Sequence, residues 1–401
     1  MTELAVDDTS RCDVLLLRWS SSTPFHHIAT LANSLQEVGL KVELAVAVGK
    51  VAPADNKDLS VRVTPLGGRD SSGIKKLLQM FGLSRRLRRL VRQRHPGVIY
   101  VIDSWTLFLW FVASFGRMRI GKSAIAYHTF DWLEPGLQAG LHLRLERRMC
   151  RRADLVVNTD RARARLQRTL YRLTDTPLAI QNCPSRAILI PDRDPQLRAK
   201  LVGGDSRPAV RLIIYPTTLG GPGSEERMAM ELAEAMMWLP DSYYLCLFRS
   251  TGSYADQCEG RVAELGLSGR VTLLPRMDLK QLLRHMVCAD VGVALYNDYR
   301  SSGYFMCNAD KIGLYAACGL PVVASDYPNL TSLIYRHGLG LCCDAKRPKE
   351  LASSVLALAN DPDVLAEAKK CARDAFEGVL NVEIQARPLV IKLHNLLYAA
   401  G

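Results

Sequence analysis

Short apolar runs alternate with segments whose apolar residues recur at helical spacing along most of the chain. Asp13 to Trp19 (DVLLLRW), Lys41 to Val48, Val98 to Ile102 and Ser123 to Tyr127 read as strands. They are apolar along their length, as expected of parallel strands covered on both faces. Between them, Ile28 to Val38 and Thr106 to Phe115 carry helical periodicity. The pattern restarts with strand-like runs at Val210 to Tyr215, Tyr243 to Phe248, Arg270 to Leu274 and Asp290 to Tyr296, separated by helical segments. Strands alternating with helices in two halves predict an α/β protein of two doubly wound, Rossmann-like domains. Residues 191–208 are polar, proline-bearing and aperiodic, which predicts a linker. The expected division is 1–190, the linker 191–208, a second domain 209–380 and a last helix in 381–401.

Composition agrees with that picture and narrows the function. At 401 residues the chain exceeds one ordinary core. With 48% hydrophobic and 23% charged residues it has globular values. The net charge of +12 favours an anionic partner: a nucleotide sugar, an acidic lipid surface or nucleic acid. Nucleic acid ranks last, because the arginines alternate with core residues rather than aromatics and no reading module is recognisable. The 11 cysteines are scattered without a CxxC pair, so neither a metal site nor a disulfide framework is expected. The acidic start is unlike a signal peptide, and the longest apolar run, Leu107 to Phe115, is far short of the ~20 residues that span a bilayer. The expected location is the cytoplasm.

Candidate chemistry concentrates in a few loops. In Asn308 to Leu330 (NADKIGLYAACGLPVVASDYPNL), a helix-like segment ends at Gly319 and the run Leu320-Pro321-Val322-Val323-Ala324 follows at once. Gly319 suits a C′ position at positive φ, and Pro321 forbids a return to helix. Lys311 sits near the helix start, where free N–H groups and the dipole favour an anion such as a phosphate; a plain surface lysine is the alternative. After the strand at 210–215 comes PTTLGGPGSEER, in which Gly220 and Gly221 let backbone N–H groups approach a diphosphate and Arg227 adds charge. Ser20 to His27 follows the first strand and offers hydroxyls and imidazoles to an acceptor, or simply caps a helix. Gly73 to His95 contains no Asp or Glu. Its apolar residues recur at helical spacing, so it fits either an anionic membrane surface or a core-facing helix with a solvated basic side.

The stretch at 308–330 resembles the donor-binding signature of the GT-B glycosyltransferases, in particular the retaining nucleotide-sugar-dependent family, glycosyl transferases group 1. The match runs through Lys311-Ile312, Tyr315-Ala316-Ala317-Cys318-Gly319 and Pro321-Val322-Val323-Ala324-Ser325. The resemblance implies two Rossmann-like domains facing a cleft, a last helix bracing the first domain, and no tightly bound cofactor or essential metal. It further implies sugar transfer, with retention, from a UDP- or GDP-linked donor, with Arg227 and Lys311 on the diphosphate. His128, ending the strand at 123–127, inherits a contact to the donor sugar, with Asp131 as companion; Arg249 lies in a loop near the donor. The family's two carboxylates are missing: Met306 and Leu314 stand in their places, leaving Asn308 and Asp310 as the nearest polar groups for the ribose. Together with the basic segment, this predicts a lipid-linked or envelope-glycan acceptor and peripheral association with an anionic membrane. A regulatory subunit that lost catalysis, or transfer to a soluble acceptor, are the alternatives.

Overall fold

A computed structural model describes residues 11–19, 26–47, 59–68, 73–130, 140–219, 227–249, 253–297 and 310–400. The chain separates into two compact units, Met1–Ser185 with Val382–Gly401, and Arg186–Asn381. Each is a doubly wound parallel sheet.

The first unit holds β1 (Val14–Arg18), β2 (Val42–Val46), β3 (Arg62–Pro65), β4 (Val98–Ile102), β5 (Ala124–Thr129), β6 (Leu155–Asn158) and β7 (Leu178–Ala179), in the order β3-β2-β1-β4-β5-β6-β7. All pairs are parallel; Val14 is in register with both Val42 and Val98. The strands are apolar on both faces because both are covered. Leu15, Leu17, Ile99, Val101, Ile125 and Tyr127 pack with the helices Gly73–Arg94 and Ser104–Ala113. Val14, Leu16, Tyr100, Ile102 and Ala126 pack with His26–Glu37 and with Leu389 and Leu393 of the last helix, Arg387–Ala400.

The second unit holds β8 (Arg211–Leu219), β9 (Tyr243–Arg249), β10 (Val271–Pro275), β11 (Val291–Ala294), β12 (Val322–Ser325) and β13 (Gly340–Cys343), in the order β10-β9-β8-β11-β12-β13. The expected turn is there. The helix Asp310–Ala317 ends with Gly319 at φ +64°, and Leu320 N–H reaches back to Tyr315 C=O at 2.8 Å, a Schellman closure that delivers the chain into β12.

Two expectations change. Residues 191–208 are not a free linker: Pro195–Leu201 is helical, with Asp194 accepting from the N–H groups of Gln196 and Leu197, both at 3.0 Å. This segment folds onto the second unit because Asp290, buried among apolar strands, needs counter-charges; Arg193 and Arg198 supply them at 3.3 and 2.8 Å, and Lys369 adds a third at 3.2 Å. The basic segment does form a helix, but not every arginine is solvated. Arg94 makes a buried ion pair with Glu43 at 2.9 Å, Arg86 donates to Leu66 C=O at 2.7 Å, and Arg88 lies 4.1 Å over the Phe115 ring. No helix among the described residues is long and apolar enough to cross a membrane.

Candidate functional site

In an open parallel sheet, ligands bind beyond the strand C-termini where the strand order reverses. In the second unit that point lies between β8 and β11. Three tyrosines build it. Tyr315, on the Asp310–Ala317 helix, packs its ring against Gly292 of β11 so closely that an added Cβ there would stand 2.7 Å from ring atoms, and its hydroxyl donates to Val293 C=O at 2.7 Å. Glycine at 292 is therefore what lets this helix approach the sheet. The Tyr215 hydroxyl, from β8, reaches both Arg227 C=O at 2.8 Å and Leu295 C=O at 2.7 Å, tying the Arg227 backbone to the end of β11. Tyr296, just past β11, is locked by Ser325: its N–H donates to Ser325 Oγ at 2.8 Å, and that hydroxyl donates to Tyr296 C=O at 3.0 Å.

Two cations converge on Tyr296. Arg227 Cζ and Lys311 Nζ each lie 5.0 Å from its ring centroid. Lys311 also stands 5.4 Å over the Tyr215 ring and donates to the Tyr296 hydroxyl at 3.1 Å. The negative face of an aromatic ring attracts a cation, so Tyr296 gathers both positive charges at the switch point. Arg227 and Lys311, 84 residues apart in the chain, are thus brought together. Asp310 is exposed in the first turn of the same helix, and Leu314 is half-buried one turn on. Arg249 closes β9. Gly220, Gly221, Asn308, Met306 and Asp131 lie outside the described residues, as do Ser20 to Phe25.

The first unit has its own switch point, between β1 and β4. Arg18, ending β1, pairs with Asp103, which follows β4. Asp103 sits at φ +63°, a conformation an L side chain rarely holds without compensation. Contacts besides Arg18 hold it: its N–H donates to His128 C=O at 2.9 Å, its carboxylate accepts from Phe130 N–H at 2.9 Å, and its C=O accepts from Leu107 N–H at 3.0 Å. His128 is in the second-last position of β5 and is 1% exposed. Its Nδ1 is 2.8 Å from the Tyr100 hydroxyl, its ring stacks on Phe130 at 4.2 Å, and among the described residues Nε2 has no hydrogen-bond partner. Burial, and secondarily the Arg18 charge, lower its pKa to about 3, so it is neutral at pH 7.

Sequence reasoning did not single out Tyr215, Tyr296, Tyr100, Arg18 or Asp103. For Tyr296 a signal exists: it is a polar-tipped aromatic closing the apolar run DVGVALY. Glu146, on the helix Gly140–Cys150, is buried and accepts from Tyr127 Oη at 2.8 Å.

Residues 26–179 match the glycosyl transferase 4-like domain family. That match lies within the first unit. Solved structures match over nearly the whole chain. HepE from Anabaena, in complex with UDP-glucose, is 16% identical, with 96% of this chain and 100% of that one covered and a TM-score of 0.74. Sucrose-phosphate synthase from Thermosynechococcus elongatus is 18% identical, with coverage of 98% and 100% and a TM-score of 0.73. A glycosyltransferase from Rickettsia africae is 12% identical, with coverage of 96% and 99% and a TM-score of 0.72. These likenesses give the fold. No curated protein matches the sequence significantly. The chain thus combines a match to a glycosyl transferase 4-like domain in its first unit with the fold of these structures over nearly its whole length.

Proposed function

We propose that this protein is a glycosyltransferase that moves a sugar from a nucleotide-diphosphate sugar to a lipid-linked acceptor at an anionic membrane surface, with retention. The observation that carries the donor half is the pairing of Arg227 and Lys311 on Tyr296 at the sheet's switch point. As the anomeric C–O bond to the diphosphate breaks, negative charge grows on the leaving phosphate, and two preorganised cations stabilise it without reorganising. The acceptor oxygen bonds to the anomeric carbon on the same face, and its proton passes to the departing phosphate. His128 donates a hydrogen bond to a sugar oxygen. Crystals of HepE with UDP and with UDP-glucose support a uridine donor over a guanosine one.

The acceptor half rests on the helix Gly73–Arg94. Its buried side consists of Met80, Leu83, Leu87, Leu90 and Val91. On the opposite side, at helical spacing, lie Lys75, Leu78, Phe81, Arg85, Arg89 and Arg92, all exposed. Leu78 and Phe81 are 67% and 63% exposed, and Phe115 nearby in the fold is 72% exposed beneath Arg88. Apolar side chains ringed by cations suit an anionic lipid surface, into which the rings insert while the charges meet headgroups.

A second reading, a GT-B subunit without catalysis, is favoured by Leu314, whose half-buried alkyl chain offers the ribose no acceptor. A thermal-shift screen against UDP-, GDP-, ADP- and dTDP-linked sugars tests the donor reading, since a ligand of the native state stabilises by mass action. Stabilisation by a uridine donor is expected. A flat response across the panel would remove the donor assignment.

A further inference from the structure

Among the described residues the buried His128 has one ring nitrogen occupied and the other not, and its neighbour decides which carries the proton. Tyr100 is fully buried, and among the described residues its hydroxyl has a single partner, His128 Nδ1, at 2.8 Å. Burial pushes the Tyr100 phenol well above its ordinary pKa, so it keeps its proton. If His128 carried its hydrogen on Nδ1, that hydrogen would point at the Tyr100 oxygen, and the Tyr100 O–H would be left buried without an acceptor. An unmade buried hydrogen bond of this kind is unfavourable, and native structures avoid it. The arrangement with both groups satisfied has Tyr100 donating and Nδ1 accepting. A neutral imidazole then carries its one hydrogen on Nε2, the atom that has no partner among the described residues.

We propose that Tyr100 is a positioning residue that fixes the proton of His128 on Nε2, so that His128 meets substrate only as a hydrogen-bond donor to an oxygen and never as a base. The first half stands on geometry alone; the second rests on the sugar-contacting role given to His128 above. The backbone supports the same orientation. His128 C=O is held by Asp103 N–H, and the ring lies between Tyr100, edge-on at 5.8 Å, and Phe130, so the imidazole cannot flip without breaking the Tyr100 contact.

The test has two arms. Long-range ¹⁵N–¹H correlation on histidine-labelled protein reads the tautomer directly: a protonated Nε2 and a bare Nδ1 are expected for His128 at pH 7. A hydrogen on Nδ1 overturns the proposal whatever the enzyme's substrate. The second arm compares two amides by hydrolysis or transfer with UDP-glucose. In His128→Gln the amide N–H₂ reaches the Nε2 position, whereas in His128→Asn the amide oxygen reaches only the Nδ1 position and can still accept from Tyr100. Gln is expected to retain turnover about tenfold or more above Asn, although Asn preserves the Tyr100 contact better and has the higher Tm. Equal turnover of the two, or Asn the more active, would show that His128 serves only to satisfy Tyr100. If the first arm succeeds and the second fails, the tautomer stands and the sugar-contacting role falls.

Discussion

Replacing Lys311 by Met keeps most of the side-chain stem and removes only the charge, so it isolates what that charge does. The ammonium is half-buried, bonded to the Tyr296 hydroxyl at 3.1 Å and flanked by two aromatic rings. A diphosphate oxygen placed about 4 Å from it would gain about 1 kcal/mol in bulk water and about 4 kcal/mol at the effective dielectric of a protein surface. A charge-assisted contact in such a half-open site contributes about 1.5–3 kcal/mol. Lys311→Met should therefore weaken UDP binding by roughly ten- to 150-fold, measured by isothermal titration at fixed ionic strength. The ligand-free protein should not suffer. Lys311 is half-buried and Met keeps the packing of its stem, so Tm should change little. Arg227→Gln should behave alike. UDP affinity within twofold of wild type in both variants, or a large fall in Tm with no change in affinity, would show that the two cations serve the fold and not a ligand.

Leu314→Glu should be tolerated without a fall of several kcal/mol, since Leu314 is half-buried and the new carboxylate can reach water; severe loss of thermal stability would place that helix face in the core. Gly292→Ala drives a methyl to 2.7 Å from the Tyr315 ring and should cost about 1–3 kcal/mol in denaturant unfolding, with weaker UDP binding because the Lys311 helix shifts. The His128 pKa is lowered to about 3, so the unfolded chain binds a proton below pH 6.5 that the folded first unit does not. Stability should fall as pH drops from about 6.5 toward 3, by roughly 1.4 kcal/mol per pH unit from this residue, and His128→Phe should flatten that slope in calorimetry. Binding to vesicles should require anionic lipid and weaken with salt, and Gln at Lys75, Arg85, Arg89 and Arg92 should remove most of it; equal binding to neutral and anionic vesicles would favour a soluble acceptor.

The parts of this fold legible in the sequence are those set by local rules. Gly319 followed by Leu-Pro-Val-Val has few backbone solutions, and the helix, left-handed closure and strand are the ones found. The two parallel sheets follow from apolar runs alternating with helical periods. Long-range charge pairing was not legible. Nothing within 191–208 shows that Arg193 and Arg198 are needed by Asp290, nearly a hundred residues on, so an aperiodic polar stretch read as a linker. The same holds for the basic helix, where Arg94 looks like its neighbours until Glu43 is seen beside it. At the candidate site, Lys311 and Arg227 could be picked from helix starts and glycine-rich loops. The tyrosines that hold them could not, because a tyrosine at a strand end is ordinary until its partners are known.

The most direct test of the account is whether purified protein releases UDP from a UDP-sugar and which anomer of the sugar appears first. Proton NMR of UDP-glucose incubated with the enzyme, without added acceptor, follows both, water standing in as a slow acceptor. Slow release of UDP is expected, with the α-anomer of glucose forming before mutarotation, abolished or strongly reduced by Lys311→Met. First formation of the β-anomer would contradict retention. No hydrolysis of any UDP- or GDP-sugar, with no binding by titration, would contradict the central claim that this GT-B chain uses a nucleotide-sugar donor.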